Sequence, residues 1–367
     1  MKFVCEKYLL QGAVNISSRA AASKSPIDEL EGLLLEAGES LRVTGYDLKK
    51  GIYSKVEADV KEPGSVVLNA KLFGEMVRRL PDGMVTISSD ENNMTTVKCG
   101  KTEFSFMGMD SEKYPELPSV DGLQSYTISQ AVLKKMINQS IFAVSDNDSR
   151  PVYTGSMFEI ENGVLTLVSV DGFRLALRRE KIEGDGNNEF IVPGTALNDI
   201  ERICSGDEEE IITISVGGSH ISFTMGNNVV VTRRLEGDFL NYRKAVPQNF
   251  KYTVNVNRSE LQRAVDRVSL IVDDKTRNPV RMTFGDGMID CLCNTPIGKA
   301  EDVCVCEGSG EELEIGFNDR YLMDALKAAP ADELSICLNT ASSPCVILPA
   351  DGNDSFKFMI LPIKLRA

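Results

Sequence analysis

Side chains able to do chemistry are few and scattered in this chain. A single histidine, His220, follows the Gly217-Gly218 pair, so a histidine-based catalytic or metal centre has almost nothing to work with. The nine cysteines are odd in number and include no Cys-x-x-Cys pair. Cys291 with Cys293, and Cys304 with Cys306, form two Cys-x-Cys pairs whose members would share one side of a strand. Zinc is one reading of them; reduced thiols packed as small hydrophobes are the favoured one. The acidic run from Asp207 to Glu210 reads as a solvated turn. Phosphate-loop, GxGxxG, HExxH and GxSxG patterns are all missing. The sequence calls for no cofactor, and an enzyme reading such as a hydrolase lacks its cluster of titratable groups.

What does recur is positive charge. Lys7, Arg19, Lys71, Arg78, Arg79, Lys134, Lys135, Arg263, Arg267, Arg320 and Lys327 fall on predicted helices, and Lys24, Arg150, Lys275 and Arg277 in the loops that follow. Taken singly, each is a solvated helix face. Recurrence at equivalent places suits a repeating polyanion such as duplex phosphate. No aromatic residues are interleaved, so contact would be to the backbone and independent of base sequence. The net charge of −14 opposes this, because the whole molecule repels nucleic acid. The basic residues would have to be gathered on one surface.

The elements that position these residues are organised around Val164 to Val170, a β-branched and aliphatic run, followed by Asp171-Gly172 and a return from Phe173 to Arg178. This reads as a hairpin, with Gly supplying the turn. Related turns fall near Asp47 and Asn294, at spacings of 124 and 123 residues, so the chain reads as one unit written three times. Each third opens with an amphipathic helix. The inward faces are Leu10, Ala13, Val14 and Ser17; Val132, Leu133, Met136, Ile137 and Ser140; and Leu261, Ala264, Val265 and Val268. A second helix opens at Asn69, at Gly194 and at Asn318, with the two Asn as N-caps and Pro81 and Pro330 as stops. Antiparallel strands follow each, and a last strand is expected over residues 356–365. The linkers around Tyr114 and Tyr242 give domains 1–121, 122–249 and 250–367, each two helices plus antiparallel sheets. The fold class is α+β.

Length and composition set outer bounds. The 367 residues suffice for two or three cores, and 42% hydrophobic with 26% charged is ordinary for a globular chain. No apolar run approaches membrane-spanning length. Glu6 and Lys7 interrupt any signal-peptide core, so the expected location is cytoplasmic, with no membrane partner. The apolar tail from Met359 to Ile363, with Leu175 and Leu240, reads either as plain core or as the lining of a peptide pocket.

On these residues the chain resembles the bacterial β sliding clamps, the processivity subunits of DNA polymerase III. The likeness runs from Ser23-Lys24-Ser25-Pro26-Ile27 and Leu30 to Ala37, through Val170 to Ala176, to Gly316-Phe317-Asn318 and Leu361 to Leu365. It implies three tandem clamp repeats closing head to tail as a homodimer, a pseudo-sixfold ring with helices lining the hole. The implied partners are duplex DNA, the polymerase III alpha subunit, the clamp loader and other proteins carrying a clamp-binding motif. The implied DNA contacts are Lys24, Lys71, Arg78, Asn147 and Arg150, to which the charge pattern adds Arg263, Arg267 and Lys275. The implied pocket for the partner peptide comprises Tyr153, Val170, Gly172, Phe173, Arg174, Leu175, Leu240, Lys244, Asn318, Tyr321, Ser342 and Pro344. The tail residues Met359, Ile360, Leu361, Pro362, Ile363, Lys364 and Leu365 complete it. The implied ring contact joins Phe104 and Phe106 to Leu270 and Ile271 of a second copy. Phe173 stands where family members commonly have His, and Val170 where they commonly have Thr. A three-domain peptide-binding scaffold that never encircles DNA is the competing reading.

Overall fold

The computed structural model describes residues 1–120, 124–272, 278–285, 287–308 and 312–365. Among them are seven α-helices: α1 (Lys7–Ser17), α2 (Ala70–Arg79), α3 (Gln130–Asn138), α4 (Gly194–Ile203), α5 (Tyr242–Ala245), α6 (Arg258–Ser269) and α7 (Asp319–Ala328). The strand pairings are antiparallel, as hairpin connections require. The chain divides into two compact units. One is Met1–Lys134 with Glu183–Asp185 and Asn198–Arg234; the other is Lys135–Ile182 with Gly186–Leu197 and Leu235–Ala367.

In the N-terminal unit, α1 buries Leu10, Ala13, Val14 and Ser17, the stripe the 3.6-residue period marks out. It packs against α2, which buries Ala70, Phe73 and Val77. The Asn69 side chain caps α2 by accepting from Leu72 N at 3.0 Å. Ser17 is tolerated inside because its hydroxyl donates to Val43 O at 2.8 Å. Phe73 is fully buried, and its truncation to Ala would cost about 3–5 kcal/mol. The two helices lie over a five-stranded sheet and an eight-stranded one. The eight-stranded sheet is continuous across a repeat boundary, since Lys50–Val56 of the first third pairs with Asn228–Arg233 of the second. Asp199 of α4 secures that seam through an ion pair with Lys50 and a 3.9 Å approach to Arg19.

The C-terminal unit holds a twelve-stranded sheet, with α6 and α7 packed together on its core. α6 buries Leu261, Ala264, Val265 and Val268, again the expected face. Asn257 caps α6 and Asn318 caps α7. A second seam joins Arg174–Lys181 to Phe356–Ile360 over five residue pairs. The repeated turns share one device. Asp47 Oδ1 accepts from Lys49 N and Lys50 N, and Asp171 Oδ1 accepts from Phe173 N and Arg174 N. In the third turn Thr295, not Asn294, supplies the acceptor, for Ile297 N at 3.3 Å.

The expected last strand over 356–365 stops at Ile360. Pro362 has no N–H to give a ladder. Instead Leu361 N donates to Phe173 O at 2.8 Å, and Ile363 N to Gly316 O at 2.7 Å. Gly316 is required there: a Cβ would lie 2.5 Å from Leu365 Cδ2 and 2.9 Å from Ile363 O.

Candidate functional site

The 171 turn builds one wall of a cleft in the C-terminal unit. Gly172 has φ +94°, and a side chain there would be strained. Asp171 Oδ1 holds Phe173 N at 2.8 Å and Arg174 N at 3.0 Å, while its Oδ2 accepts from Arg174 Nε at 2.9 Å. Arg174 Nη1 donates to Asp324 Oδ2 of α7 at 2.6 Å. Fixed at both ends, the guanidinium lies 4.4 Å from the Tyr321 ring centroid and 5.4 Å from that of Phe142. Phe173 is left 60% exposed, with its ring 6.3 Å from that of Tyr321 and tilted 26° to it.

These groups line a cleft of about 630 Å³ with Tyr153 and the 144–150 loop. Its mouth is polar, with Ser145, Asp146, Asn147, Ser149 and Arg150; its walls are the rings of Tyr153, Phe173 and Tyr321. Beneath lies an apolar cluster in which Val170, Leu175 and Met359 are buried, and Tyr153 and Leu240 half-buried. Tyr242 closes the cluster. Its hydroxyl donates to Glu159, which also takes a two-pronged pair from Arg243 at 2.6 and 2.8 Å. Burial, then the Glu159 carboxylate, push the Tyr242 phenol up to about 12. The arrangement suits an extended chain with apolar side chains entering between aromatic walls and polar groups held at the mouth.

The expected pocket residues fall into distinct roles. Tyr153, Gly172, Phe173, Arg174 and Tyr321 line the cleft. Val170, Leu175, Met359 and Ile360 are buried framework beneath or beside it. Leu361, Pro362, Ile363 and Leu365 are half-buried and Lys364 exposed along the tail. Asn318 spends its side chain on capping α7, accepting from Tyr321 N at 3.1 Å. Leu240 packs into the apolar cluster. Lys244 and Ser342 are exposed and Pro344 half-buried, and none of the three is among the residues lining this cleft. Sequence reasoning missed Val144, Ser145, Asp146, Ser149 and Asp171 as lining residues. The turn chemistry of Asp171 and the polar loop before Pro151 were the available signals.

The expected DNA contacts are exposed in both units. Lys24, Lys71 and Arg78 belong to the N-terminal unit. Arg78 and Arg79 share Glu75 at 2.7 and 2.9 Å, and the Arg78 hydrogen bond holds that carboxyl below its usual range. Such exposed pairs are weak and leave both cations available to a phosphate. In the C-terminal unit, Asn147 and Arg150 belong to the cleft mouth, with the Arg150 guanidinium 5.7 Å from the Tyr153 ring centroid. Arg263 is exposed and donates to Ser259 O at 3.2 Å. Arg267 is bound to Asp302, and that bond holds the Asp302 carboxyl below its ordinary value. Lys275 lies outside the described residues.

The expected ring contacts lie at sheet edges and helix ends. Phe104 and Phe106 sit on Thr102–Met107, an edge strand, half-buried against their own core. Leu270 follows α6 and is 81% exposed, with Ile271 half-buried beside it. Gly298–Glu307 pairs with Met288–Thr295 along its length but meets Tyr252–Asn257 only at Cys306 and Glu307. The rest of its outer edge has no partner among the described residues.

All nine cysteines are free and buried. Burial pushes the thiols of Cys5, Cys204 and Cys291 up to about 12, the behaviour of core side chains rather than of ligands or nucleophiles. Among the described residues no group of three or more His, Cys, Asp or Glu is placed to hold a metal. No helix of the described residues is long and apolar enough to cross a membrane.

Comparison with known proteins gives one result along the entire length. Residues 1–118 match the model of the DNA polymerase III beta subunit N-terminal domain, 127–241 that of its central domain and 243–364 that of its C-terminal domain. The beta sliding clamp of Halalkalibacterium halodurans is 33% identical over 373 residues, covering 97% of each chain. That of Bacillus subtilis is 31% identical over 378 residues, covering 99% of this chain and all of its own. Among solved structures, a DNA polymerase III beta subunit of Eubacterium rectale superposes with a TM-score of 0.96 at 31% identity. The sliding clamp of Bacillus subtilis gives 0.96 at 30%, and both cover 100% of each chain.

Proposed function

The chain belongs to the DNA polymerase III beta-subunit family, and on that premise we propose that it is a sliding clamp, encircling duplex DNA and tethering the replicative polymerase for processive synthesis. The single observation that carries this reading is the match of all three domain models, in order, along the chain. It acts in the cytoplasm as a processivity subunit without a catalytic site of its own. The working division is three clamp domains, 1–121, 122–249 and 250–367, with two copies meeting head to tail in a six-domain ring. The edge strand Thr102–Met107, carrying Phe104 and Phe106, meets the region of Leu270, Ile271 and the open edge of Gly298–Glu307 on the second copy.

Charge is reconciled with DNA by geometry. A net −14 molecule keeps nucleic acid off its outside. Lys24, Lys71, Arg78, Asn147, Arg150, Arg263, Arg267 and Lys275 meet the duplex phosphates in the hole. Weak, sequence-independent contacts suffice, because a closed ring is held by topology and slides. The aromatic-walled cleft with its apolar floor receives a short peptide motif from the polymerase alpha subunit, the clamp loader and other partners.

The test is retention on nicked circular DNA after loading by a clamp loader with ATP. Stable retention on the circle, followed by loss after linearisation, is expected, with little salt dependence while the circle is closed. Equal release from both forms overturns encirclement. Failure to bind either, with a peptide still held at the cleft, supports a scaffold that never encircles DNA.

A further inference from the structure

The N-terminal unit contains a second cleft, of about 440 Å³, that a clamp reading leaves without a task. Its floor is one face of the paired strands Gly32–Ala37 and Leu41–Tyr46. Leu34 pairs with Thr44 and Glu36 with Arg42, so these four side chains share that face. The opposite wall is the 111–117 segment. Tyr114 is buried there, its hydroxyl donating to Thr44 O at 3.4 Å.

Two donors in the floor have nothing to donate to. Thr44 is 1% exposed, lines the cleft, and its Oγ1 has no hydrogen-bond partner. Arg42 Nε is buried beside it and has none either. The Arg42 guanidinium is held 4.0 Å from the Tyr53 ring centroid, and its Nε is 3.9 Å from Glu36 Oε2, beyond hydrogen-bond reach. Buried donors in native proteins are met by an acceptor, so a group bearing one is the complement of this floor.

The rim decides which acceptor. Glu36, Glu112 and Glu116 line the cleft together with the single guanidinium of Arg42, so a carboxylate or phosphate meets net repulsion. A neutral acceptor carried next to a cation fits both features. The oxygen of a carboxamide would accept from Arg42 Nε–H and Thr44 Oγ–H, and its NH₂ would donate to Glu36. A neighbouring ammonium or guanidinium would face Glu112 and Glu116. Leu34, Tyr114, Pro115 and Leu117 give apolar walls for the side-chain stems. We propose that this cleft is a second docking site, taking a short extended peptide segment with Gln or Asn beside Lys or Arg.

The full chain, labelled at its Leu methyl groups, tests this by NMR titration with Ala-Gln-Lys-Ala. Movement of the Leu34 and Leu117 resonances is expected. Ala-Glu-Lys-Ala and Ala-Gln-Glu-Ala should bind about tenfold more weakly, as should the first peptide to Thr44→Val, which keeps shape and loses the hydroxyl. No movement at about 10 mM peptide, or equal movement with all three peptides, overturns the proposal. Movement confined to Leu240 does so too, because it places binding at the other cleft. If Thr44→Val fails to fold, the three-peptide comparison on the unaltered chain decides.

Discussion

Asp171→Ala should loosen the lip of the aromatic cleft by a calculable amount. One carboxylate there does three things: Oδ1 holds Phe173 N and Arg174 N at 2.8 and 3.0 Å, and Oδ2 holds Arg174 Nε at 2.9 Å. Hydrogen bonds to a charged acceptor contribute about 1.5–3 kcal/mol each. The net loss is smaller, because the turn is open enough for water to reach both amides, and Arg174 keeps its bond to Asp324. A net cost of about 2 kcal/mol corresponds to a local opening equilibrium raised about 30-fold. Amide hydrogen exchange reads it directly: the Phe173 and Arg174 amides should exchange about 30-fold faster, with Val168, deep in the same hairpin, unchanged. Asp171→Asn keeps the Oδ1 acceptor and should change the two amides by less than about fivefold. Unchanged exchange in Asp171→Ala refutes the idea that this carboxylate holds the turn. Equal effects of Ala and Asn assign it to charge alone.

Leu270→Asp should weaken association of two copies by about 30-fold or more in sedimentation, because burying one Leu contributes about 2 kcal/mol and a buried carboxylate opposes it; an unchanged dimer moves the interface away from Leu270. Asn257→Ala removes the acceptor for Ser259 N and Glu260 N at the start of α6, and should cost about 1 kcal/mol and roughly 2–4 °C in thermal midpoint, with Asn257→Asp recovering most of it. The thiols of Cys5, Cys204 and Cys291, pushed up to about 12, stay protonated in the fold while unfolded thiols ionise near pH 8.5. The unfolded chain therefore binds fewer protons between about pH 8.5 and 12, and stability falls as pH rises through that window, by up to about 1.4 kcal/mol per unit for each such thiol. A urea midpoint that rises from pH 8 to pH 10, or native thiols that react with a disulfide reagent at pH 8, contradicts this.

Much of the architecture is written in local pattern. The buried stripes of α1 and α6 agree with the helical period residue for residue, because one face of each meets a core and the other does not. Asn69 and Asn318 announce their helices by side-chain chemistry that acts within three residues. The seams between repeats carry no such signal: Asn228 meets Ser54, and Arg174 meets Ile360, across more than a hundred residues. Nothing in either strand alone specifies that partner. The tail misled for a related reason, since Phe356 to Leu365 is apolar apart from Lys357 and Lys364, and Pro362 decides where pairing ends. The cleft was half legible. Its aromatic wall follows from the hairpin and α7, but the 144–150 side of it is a loop whose path no periodicity encodes.

The seams have a mechanical consequence. Where Lys50–Val56 lies along Asn228–Arg233, and where Arg174–Lys181 lies along Phe356–Ile360, the boundary between repeats is a run of five laddered pairs. A linker of a few residues bends under thermal agitation; a ladder loaded along its strands yields only when all its bonds give way together. Each seam therefore transmits force as a beam does, and neighbouring repeats joined by one move together rather than hinging about a linker.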